Sequence, residues 1–278
     1  LLLALAVLLK PNAWIVLVAV GIALLLDALK KASWRSLAAV GCIVLLALPG
    51  PGLAQRYYES ETGATFGSGY PISSWAAMSL VQTDNTKGWY CNAFIEDLTK
   101  TCGEDMDAVA AYSETTIRER LAYFSEHPGE CFDWYREKFA TQWLEPTFQS
   151  IWSVNGGIQD MPRAKNALAE YVLGTSFAEG LSTYMRYELV LLYGGFLLGS
   201  ALLLKWRSEA RLILPLVLLG GVLYHLIFEA QSRYALSYLP LFAPVAAYGL
   251  IWIWPAGRRK KEAKTAVAEE ANASEHTA

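Results

Sequence analysis

The feature that most constrains this chain is the gathering of its apolar residues into long blocks. Each block has roughly 20 residues with almost no charge at its centre, enough to cross a ~30 Å hydrocarbon layer as a helix. Helices are expected because every backbone N–H and C=O inside hydrocarbon needs a partner within its own segment. The blocks are Ala13–Ala28, Ser36–Ala54, Glu188–Leu204, Leu212–Phe228 and Tyr234–Trp254. The sequence therefore predicts an all-α polytopic membrane protein with about five full transmembrane helices.

A shorter apolar run, Leu1–Leu9, begins the chain. As a helix this run rises only about 14 Å, and it lacks the basic stretch and the small-residue cleavage site of a signal peptide. We expect it to be the end of a truncated first transmembrane helix. The chain would then be the C-terminal part of a longer protein.

Composition and charge narrow the class of protein further. Hydrophobic residues make up 54% and charged residues 18% of the chain, which excludes an intrinsically disordered protein. The net charge of −3 argues against a nucleic-acid binder with a basic surface. Lysine and arginine cluster in alternate connections, at residues 30–35, 205–211 and 258–264, and the positive-inside rule makes these cytoplasmic.

The charge pattern and the spans divide the chain into four regions. Residues 1–54 and 187–254 hold the transmembrane helices. Between spans three and four, residues 55–186 form a mainly helical extracytoplasmic domain, because a segment this long is not a structureless connection. Residues 255–278 are expected to be a disordered cytoplasmic tail.

Helix signals recur within the extracytoplasmic domain. The first predicted helix begins at Asp105 or Asp107 and ends at His127-Pro128. The second ends at Glu145-Pro146, and Asp160 with Pro162 opens a third that carries Leu168 and Val172. The apolar stripes of the first two are predicted to be Val109, Ile117, Leu121 and Phe124, and Phe132, Tyr135, Phe139 and Trp143. Gly63–Gly69 and Asn85–Gly88 are predicted to be loops.

Cys91, Cys102 and Cys131 of the extracytoplasmic domain are disulfide candidates. Cys91 and Cys102 would close a short loop, whereas Cys102 and Cys131 would flank the first helix of the domain. Free, partly buried thiols are the alternative, because three cysteines leave one unpaired. The spacing of these cysteines matches no zinc motif.

The informative cluster of ionisable residues is Glu229–Tyr234, between two apolar spans. Ionisable groups beside hydrocarbon tend to face a cavity, a partner or a ligand. The Arg233 guanidinium suits a phosphate, and Glu229 could orient Arg233 or accept hydrogen bonds from a sugar hydroxyl. Lys10 lies on the same predicted side of the membrane and would add a second positive charge. The alternatives are an ion pair that only anchors two helices, and a Lys10 side chain that only extends to the headgroup layer.

The remaining candidates are less specific. The motifs of soluble enzymes are absent from the sequence. His225 is expected to be a packing residue rather than a catalyst, and Trp75, Trp89 and Tyr90 either stack on a sugar or acceptor or pack in a core. The acidic residues of the extracytoplasmic domain could bind a divalent metal, but their spacing matches no known set of metal ligands.

Several of these stretches resemble a known family. Leu8–Asn12 ahead of an apolar span, and Glu229–Tyr234 followed by Pro240 and Pro244, resemble bacterial membrane glycosyltransferases of the GT-C class, which includes relatives of the protein O-mannosyltransferases and of family 39. The external stretches that look like segments of related proteins from Gram-positive bacteria are Pro71–Leu80, Gly88–Tyr90, Lys138 and Trp143–Pro146.

The resemblance implies a multi-pass enzyme of the bacterial cell membrane that moves a sugar from a polyprenyl-phosphate donor to a cell-envelope glycan or protein. Lys10 and Arg233 would bind the donor phosphate, Glu229 the sugar, and Tyr234 would line the site. The general base of such enzymes lies in the first external loop, which would precede Leu1, so this chain alone is expected to be inactive. The alternatives are a transporter or flippase of lipid-linked sugars and a non-catalytic membrane scaffold.

Overall fold

The computed structural model describes residues 2–67, 69–81, 86–152, 167–174, 176–205 and 209–254, and these ranges contain helices and no strand. The predicted all-α class is therefore confirmed. The first four helices are α1 (Leu2–Leu9), α2 (Ala13–Lys31), α3 (Trp34–Ala47) and α4 (Gly50–Thr62). The next five are α5 (Ile72–Met78), α6 (Asn92–Cys102), α7 (Met106–Glu126), α8 (Pro128–Trp143) and α9 (Ser150–Trp152). The last five are α10 (Ala167–Gly174), α11 (Ser176–Leu203), α12 (Ile213–Ile227), α13 (Ser232–Ala235) and α14 (Leu239–Ile253).

Four helical stretches of the described chain are long and apolar enough to cross a membrane: Ala13–Lys31, Trp34–Thr62, Ser176–Leu203 and Glu209–Ile227. They coincide with the first four predicted full spans. The predicted fifth span, Tyr234–Trp254, is shorter in the structure, where α13, a turn and the 15-residue α14 take its place. Pro240 stands in the first turn of α14, and proline is favoured where a helix begins.

Two spans extend beyond their predicted ends. The chain bends at Leu48-Pro49, but α4 then continues to Thr62, where Gly63 with a φ of 67° ends it. The predicted domain boundary at residue 55 falls inside this helix. Likewise α11 begins at Ser176, well before the predicted start at Glu188.

Glycines bring α11 and α14 into close contact. A Cβ atom on Gly199 would lie 2.1 Å from the carbonyl oxygen of Val245, and one on Gly249 would lie 2.1 Å from that of Gly195. Small residues allow this approach of two backbones in a membrane, where packing rather than the hydrophobic effect drives association. Phe196 and Phe242, both buried, pack beside this contact with ring centroids 4.6 Å apart.

The described residues between α4 and α10, here called the cap, contain α5 to α9. Asp105, one of the two predicted capping residues, precedes α7, and its carboxylate accepts hydrogen bonds from the N–H groups of Asp107 and Ala108. Helix α7 ends before His127-Pro128, and α8 runs from there to Trp143, as predicted. Leu168 and Val172 lie on α10. Asp160 and Pro162 of the third predicted helix, Asn85 and the tail 255–278 lie outside the described residues.

The predicted apolar stripe of α8 is only partly its buried face, since Trp143 is buried and Tyr135 packs against a core. Phe132 and Phe139 are 69% and 40% exposed, and Leu121 on the predicted stripe of α7 is 51% exposed. The residues that α8 buries are Trp134, Lys138, Gln142 and Trp143. Apolar character alone does not identify this face, because it includes the polar side chains of Lys138 and Gln142.

The cysteines are free thiols in the structure, so neither predicted disulfide is formed. Cys91 precedes α6, where its sulfur accepts a hydrogen bond from the N–H of Phe94, and it packs in a core with Leu98 and Cys102. Cys131 packs in a different core, beside Phe124.

Candidate functional site

A cavity of about 340 Å³ lies where the cap meets the ends of the spans. It is bounded by the turn between α1 and α2, by α5, by the end of α12 and by the connection from α12 to α13. The residues that line it are Lys10, Pro11, Asn12, Ile72, Trp75, Tyr224, His225, Phe228, Glu229 and Tyr234. The structure thus brings the predicted site residues Lys10, Glu229 and Tyr234 to one cavity, although the first two are far apart in sequence.

Glu229 is held by several hydrogen bonds at the edge of this cavity. Its Oε2 accepts from the phenol of Tyr234 at 3.1 Å, and its Oε1 accepts from the side-chain amide of Gln231. Its carbonyl oxygen is 2.7 Å from Nδ1 of His225. Burial raises the pKa of the Glu229 carboxyl above its ordinary value, while hydrogen bonds and the charge on Arg233 partly offset this effect.

Arg233 is exposed and reaches the site through Tyr234. Its guanidinium donates to the phenol oxygen of Tyr234 at 3.4 Å, and the same phenol donates to Glu229. Among the described residues, Arg233 and Glu229 form no direct ion pair, so the predicted helix-anchoring pair is not present. Tyr234 instead lies between the cation and the carboxylate.

Lys10 joins the beginning of the chain to the last span. Its backbone N–H extends α1 by a hydrogen bond to the Ala6 carbonyl, and its Nζ donates to the Ser237 hydroxyl at 2.5 Å. Ser237 lies in the turn between α13 and α14. The Lys10 ammonium is therefore fixed near the cavity, and it remains exposed to a ligand.

Aromatic rings form the walls of the cavity. The rings of His225 and Tyr234 stack at 5.6 Å, and those of Tyr224 and Phe228 lie 4.7 Å apart. Trp75, a predicted stacking residue, contributes from α5 and is 38% exposed. Trp89 and Tyr90, the other predicted stacking residues, are not among the lining residues; the backbone N–H of Tyr90 hydrogen-bonds the Glu229 carboxylate.

Lys138 is a residue whose position the sequence does not reveal. It is fully buried, and its Nζ donates to the Leu226 carbonyl at 2.9 Å and to the Ser79 hydroxyl at 3.1 Å. No carboxylate of the described chain lies within ion-pair distance of it. Burial without a counter-charge lowers the pKa of Lys138 to about 7.

Glu145, just after α8, contacts the other end of the Glu229 segment. Its Oε2 accepts from the Ser232 hydroxyl at 2.6 Å and from the Gln149 N–H at 2.7 Å, and its Oε1 accepts from the Thr147 N–H at 2.9 Å. Burial opposes the charge on this carboxylate, but the hydrogen bonds outweigh burial and lower its pKa.

An apolar groove of about 330 Å³ runs between α2 and α12. Tyr224 lines both this groove and the cavity, so the two adjoin. The other residues of the groove are Trp14, Ile15, Val18, Ala19, Ile22, Leu216, Leu219, Gly220 and Leu223. The groove beside the cavity is thus lined mainly by apolar side chains of two spans.

The described residues contain no group of three or more His, Cys, Asp or Glu side chains placed to hold a metal ion. The fold and the cavity define an all-helical protein with helices long enough to cross a membrane and a partly polar site at their cap-side ends. Comparisons with protein-family models, curated proteins and solved structures found no match to this chain.

Proposed function

We propose that the cavity is the donor site of a bacterial integral-membrane glycosyltransferase that uses a polyprenyl-phosphate sugar. The observation that carries this proposal is the adjacency of two unlike spaces. A cavity lined by Lys10, by the Glu229 carboxylate and by aromatic rings adjoins an apolar groove between two spans, and Tyr224 belongs to both. An amphiphile with a polar anionic head and one long hydrocarbon tail fits this pair of spaces.

The donor phosphate would lie between Lys10 and Arg233. The Lys10 ammonium is fixed by Ser237 but exposed, and Arg233 is exposed beside Tyr234. Hydrogen bonds between a cation and a phosphate are stronger than neutral ones, and more so where water is partly excluded. In the transferase reaction these two cations would also stabilise the charge that develops on the leaving phosphate.

The sugar would lie against Glu229 and the aromatic walls. The Glu229 carboxylate accepts hydrogen bonds from hydroxyl groups, and the rings of Trp75, Tyr224 and Tyr234 offer apolar faces to the C–H surface of a sugar. The first part of the tail would follow the groove between α2 and α12 into the bilayer. The positive-inside rule would place the cap, and hence the acceptor, outside the cytoplasm.

The reaction joins an acceptor hydroxyl oxygen to the anomeric carbon of the sugar and breaks the bond from that carbon to the phosphate oxygen. Polyprenyl phosphate leaves, and the acceptor proton passes to a base. In this proposal the residues of the cavity bind the donor and stabilise the leaving group.

Binding of the donor by the full chain in lipid nanodiscs tests this proposal. The probes are radiolabelled polyprenyl-phosphate mannose, glucose and galactose, with sugar-free polyprenyl phosphate and phosphatidic acid as competitors. We expect at least one sugar lipid to bind tighter than both competitors. Equal competition by phosphatidic acid would reduce the cavity to a general anionic-lipid site, and no binding would overturn the proposal.

Charge variants identify the phosphate contacts. Lys10→Met and Arg233→Met should each weaken donor binding about ten-fold. A hydrogen bond to a charged group contributes roughly 1.5–3 kcal/mol, and the lower value corresponds to a ten-fold change in affinity. Lys205→Met is the matched control, because Lys205 is an exposed lysine after α11, beside Trp252 and outside the cavity lining. Movement of the label across the bilayer of vesicles that hold the protein would favour a flippase instead.

A further inference from the structure

The connection between α12 and α13 carries Glu229, and the cap contacts it at several points along its length. Lys138 donates to the Leu226 carbonyl, Ser79 donates to the Ile227 carbonyl at 2.6 Å, and the Ala230 N–H donates to the Gly88 carbonyl at 2.9 Å. Glu145 accepts from Ser232 at the beginning of α13. Residues 226–232 are thus bound to the cap before, within and after the position of Glu229.

The contacts at Leu226 and Ile227 also complete a helix end. The last carbonyl groups of a helix have no partner within it, and burial makes an unpaired carbonyl unfavourable. Lys138 and Ser79 provide these partners from α8 and from the end of α5, and the Lys138 ammonium suits the negative end of a helix. The end of α12 therefore depends on the cap for its hydrogen bonds.

We propose that Lys138 and Glu145 are positioning residues that form a clamp on the segment 226–232 and so hold Glu229 at the cavity. They act through the segment, because neither is among the residues that line the cavity. α8 carries Lys138 and ends just before Glu145, so a single rigid helix fixes the segment on both sides of Glu229. The clamp extends the proposed function. Its effect on donor binding rests on that proposal, because it requires Glu229 to contact the donor.

Hydrogen exchange tests the clamp without any ligand. The peptide covering residues 226–234 should exchange about ten-fold faster in Lys138→Met and in Glu145→Ala than in the unchanged chain, because the segment is no longer held against the Gly88 carbonyl that accepts from the Ala230 N–H. Lys100→Met on α6 and Glu137→Ala on α8 are the matched controls, since both side chains are exposed. A peptide from α7 should exchange equally in all variants, which would exclude general unfolding of the cap.

Donor binding and a conservative variant complete the test. Lys138→Met and Glu145→Ala should weaken donor binding about ten-fold, and Glu145→Gln, which keeps an acceptor for Ser232, should recover most of it. Unchanged exchange of residues 226–234, or faster exchange with unchanged donor affinity, would overturn the clamp. If the unchanged chain binds no donor, the proposed function fails, and the exchange result alone decides whether the clamp exists.

Discussion

The phenol oxygen of Tyr234 lies 3.1 Å from Oε2 of Glu229 and hydrogen-bonds this carboxylate. The same oxygen accepts a hydrogen bond from Arg233, so Tyr234 connects a cation and an anion that do not touch each other. This arrangement leaves the guanidinium free to bind an anion while the carboxylate faces the cavity. It gives each of the three side chains a separate role in the proposed donor site.

Tyr234→Phe removes only this bridging oxygen. We expect the affinity for the sugar lipid to fall about five-fold, the effect of about 1 kcal/mol from one lost hydrogen bond. The affinity for sugar-free polyprenyl phosphate should change less, because the phosphate is expected to contact Arg233 and Lys10 directly. Equilibrium binding of the two lipids measures this difference, and an equal loss for both would contradict the separation of roles.

The groove between α2 and α12 is expected to hold the tail of the donor. Val18 is 53% exposed and lines the groove, so Val18→Trp should obstruct the tail without disturbing a buried core. Val44→Trp is the control, because Val44 is 43% exposed on α3 and lies outside the groove. We expect Val18→Trp to weaken binding of a long polyprenyl donor several-fold, while a sugar-phosphate donor analogue without a tail binds unchanged. If both donors, or neither, lose affinity in Val18→Trp, the tail does not occupy this groove.

The stability of the cap should depend on pH through Lys138. The folded-state pKa of about 7 lies below the ordinary 10.5, so between these values the unfolded chain binds more protons and stability rises with pH. The slope from this one group approaches about 1.4 kcal/mol per pH unit above pH 7.

Thermal unfolding of the unchanged chain and of Lys138→Met from pH 6 to 9 checks this expectation. The variant lacks the contribution of Lys138 to the change of stability with pH. His225 at the end of α12 is a titratable group whose charge interacts with that of Lys138, and the variant retains it. We expect the midpoint difference in favour of the unchanged chain to grow with pH. A difference that is constant or shrinks would show that Lys138 is not buried as a lone amine.

Gly88 and Gly199 make two different close approaches. A Cβ on Gly88 would lie 2.7 Å from the Lys138 side chain, and the φ of Gly88 is 78°, so Gly88→Ala should destabilise the cap and weaken donor binding together.

Gly199→Ala should separate α11 from α14, with a lower unfolding temperature as the measurement. Gly194→Ala is the control, since a Cβ there meets no atom within 4 Å. A similar unfolding temperature for Gly194→Ala and Gly199→Ala would contradict this contact.

Much of the fold follows from local patterns in the sequence. Apolar blocks identify the long spans, and Asp105 and His127-Pro128 locate the ends of α7, because capping and proline effects act over a few residues. The meeting of Lys10 with the Glu229 segment was predictable from topology, since both lie at the same ends of the spans. The predicted end of the second full span at Ala54 was too early, because a helix tolerates a proline in its first turn and α4, with Pro51 there, continues to Thr62.

Lys138 and Glu145 could not be placed in the same way. Their partners, Leu226 and Ser232, lie 88 and 87 residues away in sequence, and one of these partners is a backbone carbonyl with no side-chain signal. A lysine on an amphipathic helix normally marks its exposed face. Only the packing of the cap on the end of α12 makes the Lys138 position a buried one.

The most direct test of the donor site is photo-crosslinking of the full chain in nanodiscs with a polyprenyl-phosphate sugar that carries a diazirine next to the phosphate. The account predicts that the label is found on peptides containing Lys10–Asn12 and Tyr224–Tyr234, and that excess unlabelled donor prevents it. Label spread over the lipid-facing surfaces of α3 and α11, or unaffected by competitor, would contradict the assignment of this cavity.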